Sequence, residues 1–297
     1  MAESTNDIVS KLLEAGIHFG QRRSKWNPKM KTYIWGVRYG LHIIDIRETV
    51  KGLLRAKKFI QDTVAGGKDV VFVGTKRQAQ SAVQKYASEA GMPWVTERWL
   101  GGTLTNFRTI RERLKRLIEL EQLVESGEID SYSKKMTSQL MREKGKITRN
   151  LDGIRNMNKL PGAMVVIDAN KETNALREAV ALQIPTIALI DSDGDPELVD
   201  IPIPGNDDSL RSIEVVIIDL MSAVNEGMQG RRAAEAEEQK KADDEARAAA
   251  EQEEKRQRSS RSAFKADEPE SIVETESSAA TVVVAPEPPK SSDTEKP

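Results

Sequence analysis

The chain has 297 residues, with 45 Lys+Arg against 47 Asp+Glu, four per cent aromatic residues and no cysteine. That length suits one large domain or two small ones, and the missing cysteine excludes disulfides and thiolate metal sites. No apolar run approaches the roughly 18 residues of a membrane span, and the acidic start Met1 to Asp7 lacks a basic-then-apolar leader, so a soluble cytoplasmic protein is expected.

In chain order, a helix is predicted from an Asn6 N-cap through Ile8, Leu12 and Leu13 to Gly16. A basic loop with aromatics, Arg22 to Lys31, follows, then short strands at Tyr33 to Val37 and Leu41 to Asp45, and an amphipathic helix from Glu48 to Val64. The apolar run Asp69 to Val73 reads as a doubly covered parallel strand that leads through Gly74-Thr75-Lys76 into a helix near Gln78. Pro93 to Val95, Ala163 to Ile167 and Thr186 to Ile190 are further strands; helices are expected over Glu172 to Leu182 and Asp208 to about Gln229. This alternation predicts an α/β fold, a parallel sheet flanked by helices.

Between Phe107 and Asn158 the alternation stops. Ile110, Leu114, Leu117, Leu120 and Val124, then Met136, Leu140, Ile147, Leu151 and Ile154, recur at spacings of three, four or seven. They predict a protruding antiparallel coiled-coil hairpin over 107–158, inserted between the halves 1–106 and 159–230 of the α/β domain. Residues 231–258 read as a charged helical extension and 259–297, rich in Ser, Thr, Pro and Glu, as a disordered tail.

Charge is unevenly distributed. Residues 1–160 carry a net +13, residues 161–230 a net −10 and the remainder −5. Such polarity suggests a polyanion partner for the basic part and protein or solvent for the acidic part. Candidate contacts are Arg22, Arg23, Lys25, Lys29 and Lys31 around Trp26, then Lys76, Arg77, Arg98, Asn106 and Arg108 on loops that follow strands. Cations neutralise phosphates and aromatic faces stack bases. Within Arg98 to Phe107, Gly101-Gly102 permits close backbone approach, whereas Trp99 is left open between core anchor and contact.

Catalytic machinery is sparse: two histidines, His18 and His42, and no nucleophile or zinc motif. Gly74-Thr75-Lys76 could cradle a nucleotide phosphate, but it lacks the spacing of either glycine-rich motif, and a nucleic-acid backbone suits the geometry better. Asp191 to Pro196 reads as a capped turn and not a calcium loop, because its glycine is early and the distal Glu is missing. No metal site and no cofactor are expected.

Several segments together resemble one family, the bacterial small-subunit ribosomal protein two: Ala15 to Gly20, Trp26 to Met30, Phe72 to Lys76, Arg98 to Phe107, Leu160-Pro161 with Val166 to Asp168, and Ile203 to Asp208. They occur in family order over about residues 6–228. The resemblance implies a flavodoxin-like α/β domain with a coiled-coil insertion. It also implies a non-enzymatic constituent of the small ribosomal subunit, bound to 16S ribosomal RNA where head meets body and adjoining other small-subunit proteins, without a membrane or small-molecule substrate. Two positions depart from the family pattern: Gln21 stands where many relatives have His, and Asp191-Ser192-Asp193 replaces Asp-Thr-Asn. The competing reading is a nucleotide-binding α/β module using Gly74-Thr75-Lys76.

Overall fold

A computed structural model describes residues 5–233. The predicted tail 259–297, and the predicted extension 231–258 beyond residue 233, lie outside the described residues. Helix α1 (Thr5–Glu14) leads into a small antiparallel sheet of β1 (Phe19–Arg22), β2 (Ile34–Arg38) and β3 (Leu41–Ile44), in the order β1-β3-β2. Two 3₁₀ turns, Arg23–Lys25 and Pro28–Tyr33, join β1 to β2. Asn6 lies inside α1 instead of capping it, and β1, which was not predicted, overlaps the expected loop at Arg22.

The main sheet follows: α2 (Ile46–Ala65), β4 (Val70–Val73), α3 (Arg77–Glu89), β5 (Trp94–Val95), α4 (Phe107–Glu125), α5 (Lys134–Leu151), β6 (Ala163–Ile167), α6 (Thr173–Ala181), β7 (Thr186–Ile190) and β8 (Ile201–Pro204). A last helix, α7, covers 210–233. The strands are all parallel in the order β5-β4-β6-β7-β8. Every residue of β4, β6 and β7 is buried, which is why these strands read as unbroken apolar runs.

Alternation divides those runs between two cores. Val70, Phe72, Ala163, Val165, Ile167, Ile187 and Leu189 pack with residues of α2, α3 and α7 on one face. Val71, Val73, Met164, Val166, Ala188 and Ile190 pack with α6 and the α4–α5 hairpin on the other. Strand β8 escaped prediction because Pro202 and Pro204 cannot donate to a ladder; it sits at the sheet edge, where that loss is tolerated.

The hairpin was expected to project from the domain. Its seam residues Ile110, Leu114, Leu117, Leu120, Leu140, Ile147 and Leu151 are buried and belong to the same continuous core as the second face of the sheet. Met136, assigned to the seam by spacing, is 43% exposed. Arg116 meets Glu143 across the helices at 3.7 Å, and Arg155 reaches back to Glu121 at 2.8 Å. Among the described residues no helix is long and apolar enough to cross a membrane.

If the hairpin shares the sheet's core, Leu117→Ala, which empties a fully buried position, should lower global stability by about 3 kcal/mol in a single urea transition. Met136→Ala should change it by under about 0.5 kcal/mol.

Candidate nucleic-acid interface and the carboxylate knot

The carboxyl ends of parallel strands share one edge, so the turns after β4, β6, β7 and β8 converge there. Their charged residues are mostly acidic. Lys76, after β4, places Nζ 2.7 Å from Asp207 and 2.5 Å from Asp208, both after β8, and 3.5 Å from Asp168, after β6. From the small sheet, the Gln21 amide donates to Asp191 at 3.0 Å and to Asp208 at 2.6 Å, while its backbone N–H donates to Ser192 Oγ at 2.8 Å. Gly20 makes this approach possible: a Cβ there would lie 2.9 Å from Ser192 Oγ and 3.1 Å from Asp191.

Facing oxygens of Asp191, Asp207 and Asp208 lie within 4.8 Å of one another, a spacing that one cation could bridge. In the knot, the Lys76 ammonium and the Gln21 amide already bridge them. Burial, followed by the Asp168 charge, pushes Asp207 up to about 8 against the pull of Lys76, and burial pushes Asp191 up to about 6. Burial disfavours the charged Lys76, but its bonds to Asp207 and Asp208 outweigh that and hold it above the ordinary lysine range.

This geometry corrects the sequence expectation for two residues. Lys76 does not present free charge to phosphate, and Lys29 is likewise paired, with Asp195 at 2.8 Å and Glu197 at 2.5 Å. The nucleotide reading loses its donors as well. Gly74 N–H donates to Val95 O at 2.9 Å, and Thr75 donates to the buried Glu172 through both N–H and hydroxyl. A carboxylate thus stands against the turn where a phosphate would sit. As expected, Asp191 to Pro196 forms a capped turn, with Asp195 accepting from Glu197 N–H at 3.0 Å.

A second carboxylate organises the Arg98 to Phe107 stretch. Glu178 on α6 accepts from Trp99 Nε1 at 3.0 Å, Gly102 N at 2.8 Å, Leu104 N at 3.0 Å, Thr105 N at 3.2 Å and Thr105 Oγ1 at 3.2 Å. Burial alone would raise its pKa; these bonds outweigh it and hold the carboxyl below the usual range. Trp99 is therefore a core anchor, 6% exposed, and Gly102, at φ +88°, supplies the left-handed turn. Nothing local in the sequence marked Glu178, which lies more than 70 residues from the backbone that it holds.

The remaining cations are placed differently. Arg22, Arg23, Lys25 and Lys31 are exposed on or beside the small sheet and form no ion pair among the described residues. Trp26 is half-buried, its ring 5.1 Å from the His42 ring, and burial followed by the Arg23 charge lowers the His42 pKa. Arg77 and Arg98 are exposed at the starts of α3 and the Glu178-held turn, and Arg108, with a side chain 92% exposed at the start of α4, pairs with Glu112 one turn on at 3.5 Å. Asn106 precedes α4 and accepts from Thr109 Oγ1 at 2.9 Å. Residues 19–44 contain six Lys or Arg and no Asp or Glu. Sequence reading overlooked three members of that stretch, Trp35, Arg38 and Tyr39, although the acid-free run was there to be counted.

The profile of the family described as Ribosomal protein S2 matches residues 12–227. The chain belongs to the ribosomal protein S2 family. A relative from Rhodopirellula baltica, named small ribosomal subunit protein uS2, is 56% identical over 231 residues, covering 78% of this chain and 88% of the relative. Proteins of the same name from Mycolicibacterium vanbaalenii and Syntrophobacter fumaroxidans are 48% and 47% identical over 229 residues, each covering 77% of this chain and 84% and 82% of theirs. The S2 family is a class of structural ribosome components, concerned with translation and not an enzyme class.

Glu178→Gln keeps the size of the side chain but removes its charge and one acceptor. It should cost about 2 kcal/mol in urea unfolding and shift the Trp99 emission toward that of a solvated indole. A second outcome follows from the knot. A carboxyl whose folded pKa is raised takes up protons more readily folded than unfolded, so its contribution strengthens as pH falls from 8 toward the unfolded value near 4. Stability should therefore be higher at pH 5.5 than at pH 8.5, by on the order of 2 kcal/mol, and Asp207→Asn should flatten that dependence in urea titrations.

Proposed function

We propose that the chain is a structural constituent of the small (30S) ribosomal subunit that binds 16S ribosomal RNA at the head–body junction and supports translation in the cytoplasm. It acts by binding and not by catalysis, and its acidic face adjoins neighbouring small-subunit proteins. The observation that carries the RNA reading is the acid-free segment 19–44, whose Arg22, Arg23, Lys25 and Lys31 are exposed without carboxylate partners. Unpaired cations of this kind exchange their counterions for phosphates, the main source of affinity for nucleic acid.

Arg98, on the turn before α4, and Arg77, in the first turn of α3, are exposed in the same way, while Arg108 in the first turn of α4 is exposed beside Glu112 in a solvent-screened pair. A cation in the first turn opposes the helix dipole, so it stabilises neither α3 nor α4, yet it adds to the positive potential that a helix start offers an anion. Trp26 and Asn106 would contribute stacking and polar contacts beside these charges. Lys29 and Lys76, already neutralised, have a structural part that positions the basic sheet. Family membership supports the ribosomal setting, and the occupied donors of Gly74 and Thr75 speak against the nucleotide alternative.

The purified protein should bind 16S ribosomal RNA with an affinity that falls steeply with salt. Reversing Arg22, Arg23 and Lys25 to Glu together should weaken it about 100-fold or more at physiological salt, whereas Lys29→Ala should change it by under about threefold, since its charge is already paired. Filter binding across a salt series measures both. Saturable mononucleotide binding that is lost on Lys76→Ala, with RNA affinity indifferent to the reversals, would replace this reading with the nucleotide-binding one.

A further inference from the structure

The β2–β3 hairpin of the small sheet carries aromatic groups that the fold does not use. Trp35 is 75% exposed, Val37 50% and Tyr39 90%. Trp35 sits where the β2–β3 register shifts, between the pairs Ile34↔Ile44 and Gly36↔Ile43. Tyr39 and Gly40 form the turn, with φ of +52° and +76°. A two-residue hairpin turn with both residues left-handed favours Asn-Gly, and a bulky side chain at the first position is strained. Tyr39 thus opposes local stability and buries almost nothing in return. What it does provide is a flat π face in solvent.

The charged side chains of the hairpin and of the strand beside it are all cationic. The Arg38 guanidinium lies 5.3 Å from the Tyr39 ring centroid. Arg22 and Arg38 both pair in register with Leu41, one on each neighbouring strand, and Arg23 N–H donates to Gly40 O at 3.0 Å, which draws three arginines to the turn. No carboxylate occurs between residues 19 and 44. A partner protein would gain from apolar contact here but would meet three arginines that form no ion pair among the described residues. A strand of unpaired nucleotides satisfies both features, because its phosphates meet the arginines and its bases expose faces that can stack on Trp35 and Tyr39. Duplex RNA satisfies only the first, since its bases are stacked on one another.

We infer that the β2–β3 hairpin is a stacking platform for single-stranded RNA, with Trp35 and Tyr39 taking bases and Arg22, Arg23 and Arg38 taking phosphates. It rests on the RNA-binding reading above and specifies which form of RNA this part of the surface holds. Of the four tryptophans, Trp35 is the one left largely in solvent, so it reports its own occupancy: Trp26 and Trp94 are half-buried and Trp99 is buried.

The full chain, titrated with a ten-nucleotide oligoadenylate and separately with a hairpin RNA duplex, tests it. Oligoadenylate should quench tryptophan emission, and most of that quenching should be lost in Trp35→Phe, the remainder coming from Trp26. Trp35→Ala with Tyr39→Ala should weaken oligoadenylate binding at least about tenfold. It should leave the slope of log affinity against log salt unchanged, because no charge is removed, and alter duplex binding by less than about twofold. Tyr39→Gly, which relieves the turn, should raise the melting temperature while weakening oligoadenylate binding, so reduced binding cannot be put down to misfolding. Unchanged oligoadenylate affinity in the double variant overturns the inference and leaves the face to a protein partner; equal losses for single strand and duplex overturn it too. In either case salt-dependent 16S ribosomal RNA binding by the wild-type chain would leave the broader reading standing, and its absence would remove both.

Discussion

Everything that positions the candidate interface depends on one constraint: four parallel strands deliver their carboxyl ends to the same edge, and the residues that arrive there are acidic. Asp168, Asp191, Asp207 and Asp208 come from three separate turns, and Lys76 is the ammonium set among them. Taking several carboxylates out of water is costly unless they are paired or protonated. Both remedies occur in this knot. Lys76 bridges three of the carboxyls, the Gln21 amide bridges two, and burial holds Asp191 and Asp207 where protons are retained more readily. Because Gln21 belongs to β1, the same bonds fasten the small antiparallel sheet to the large parallel one.

That attachment explains the division of labour among the cations. Lys29 and Lys76, which look in sequence like any other members of a basic cluster, face the acidic edge and are neutralised there. The cations on the remaining surface of the small sheet form no ion pair among the described residues, because no carboxylate of another element is set opposite them as Asp195 and Glu197 are set opposite Lys29. Charge is thus separated twice, along the chain and again within the basic segment, into pairs that hold the fold and groups that face outward. Glu178 performs the equivalent task at the start of the helical hairpin. One carboxylate collects five donors from the turn after β5 and fixes the direction in which α4 leaves the sheet.

The sheet and its helices were legible because periodicity is a local property. Val70 to Val73, Ala163 to Ile167 and Thr186 to Ile190 are buried on both sides, and a strand with no solvent face has no polar alternation to confuse it. The apolar spacing of the hairpin likewise announced two helices. Errors arose where local chemistry misleads. Prolines hid β8, Asn6 suggested a cap at a position already inside α1, and Met136 kept the spacing of a seam without its burial.

The sequence by itself therefore determined the α/β alternation, the hairpin, the basic and acidic segments and the motifs that mark the S2 family, since each is written in residues close together along the chain. Only the tertiary structure decided which cations are available, that Trp99 is an anchor, and that Trp35 and Tyr39 stand in solvent. Availability is a matter of what lies opposite. The partners of Lys76 are 92, 131 and 132 positions away, and those of Lys29 are 166 and 168. No window along the chain contains both members of such a pair; the parallel sheet brings them together by setting its strand ends side by side.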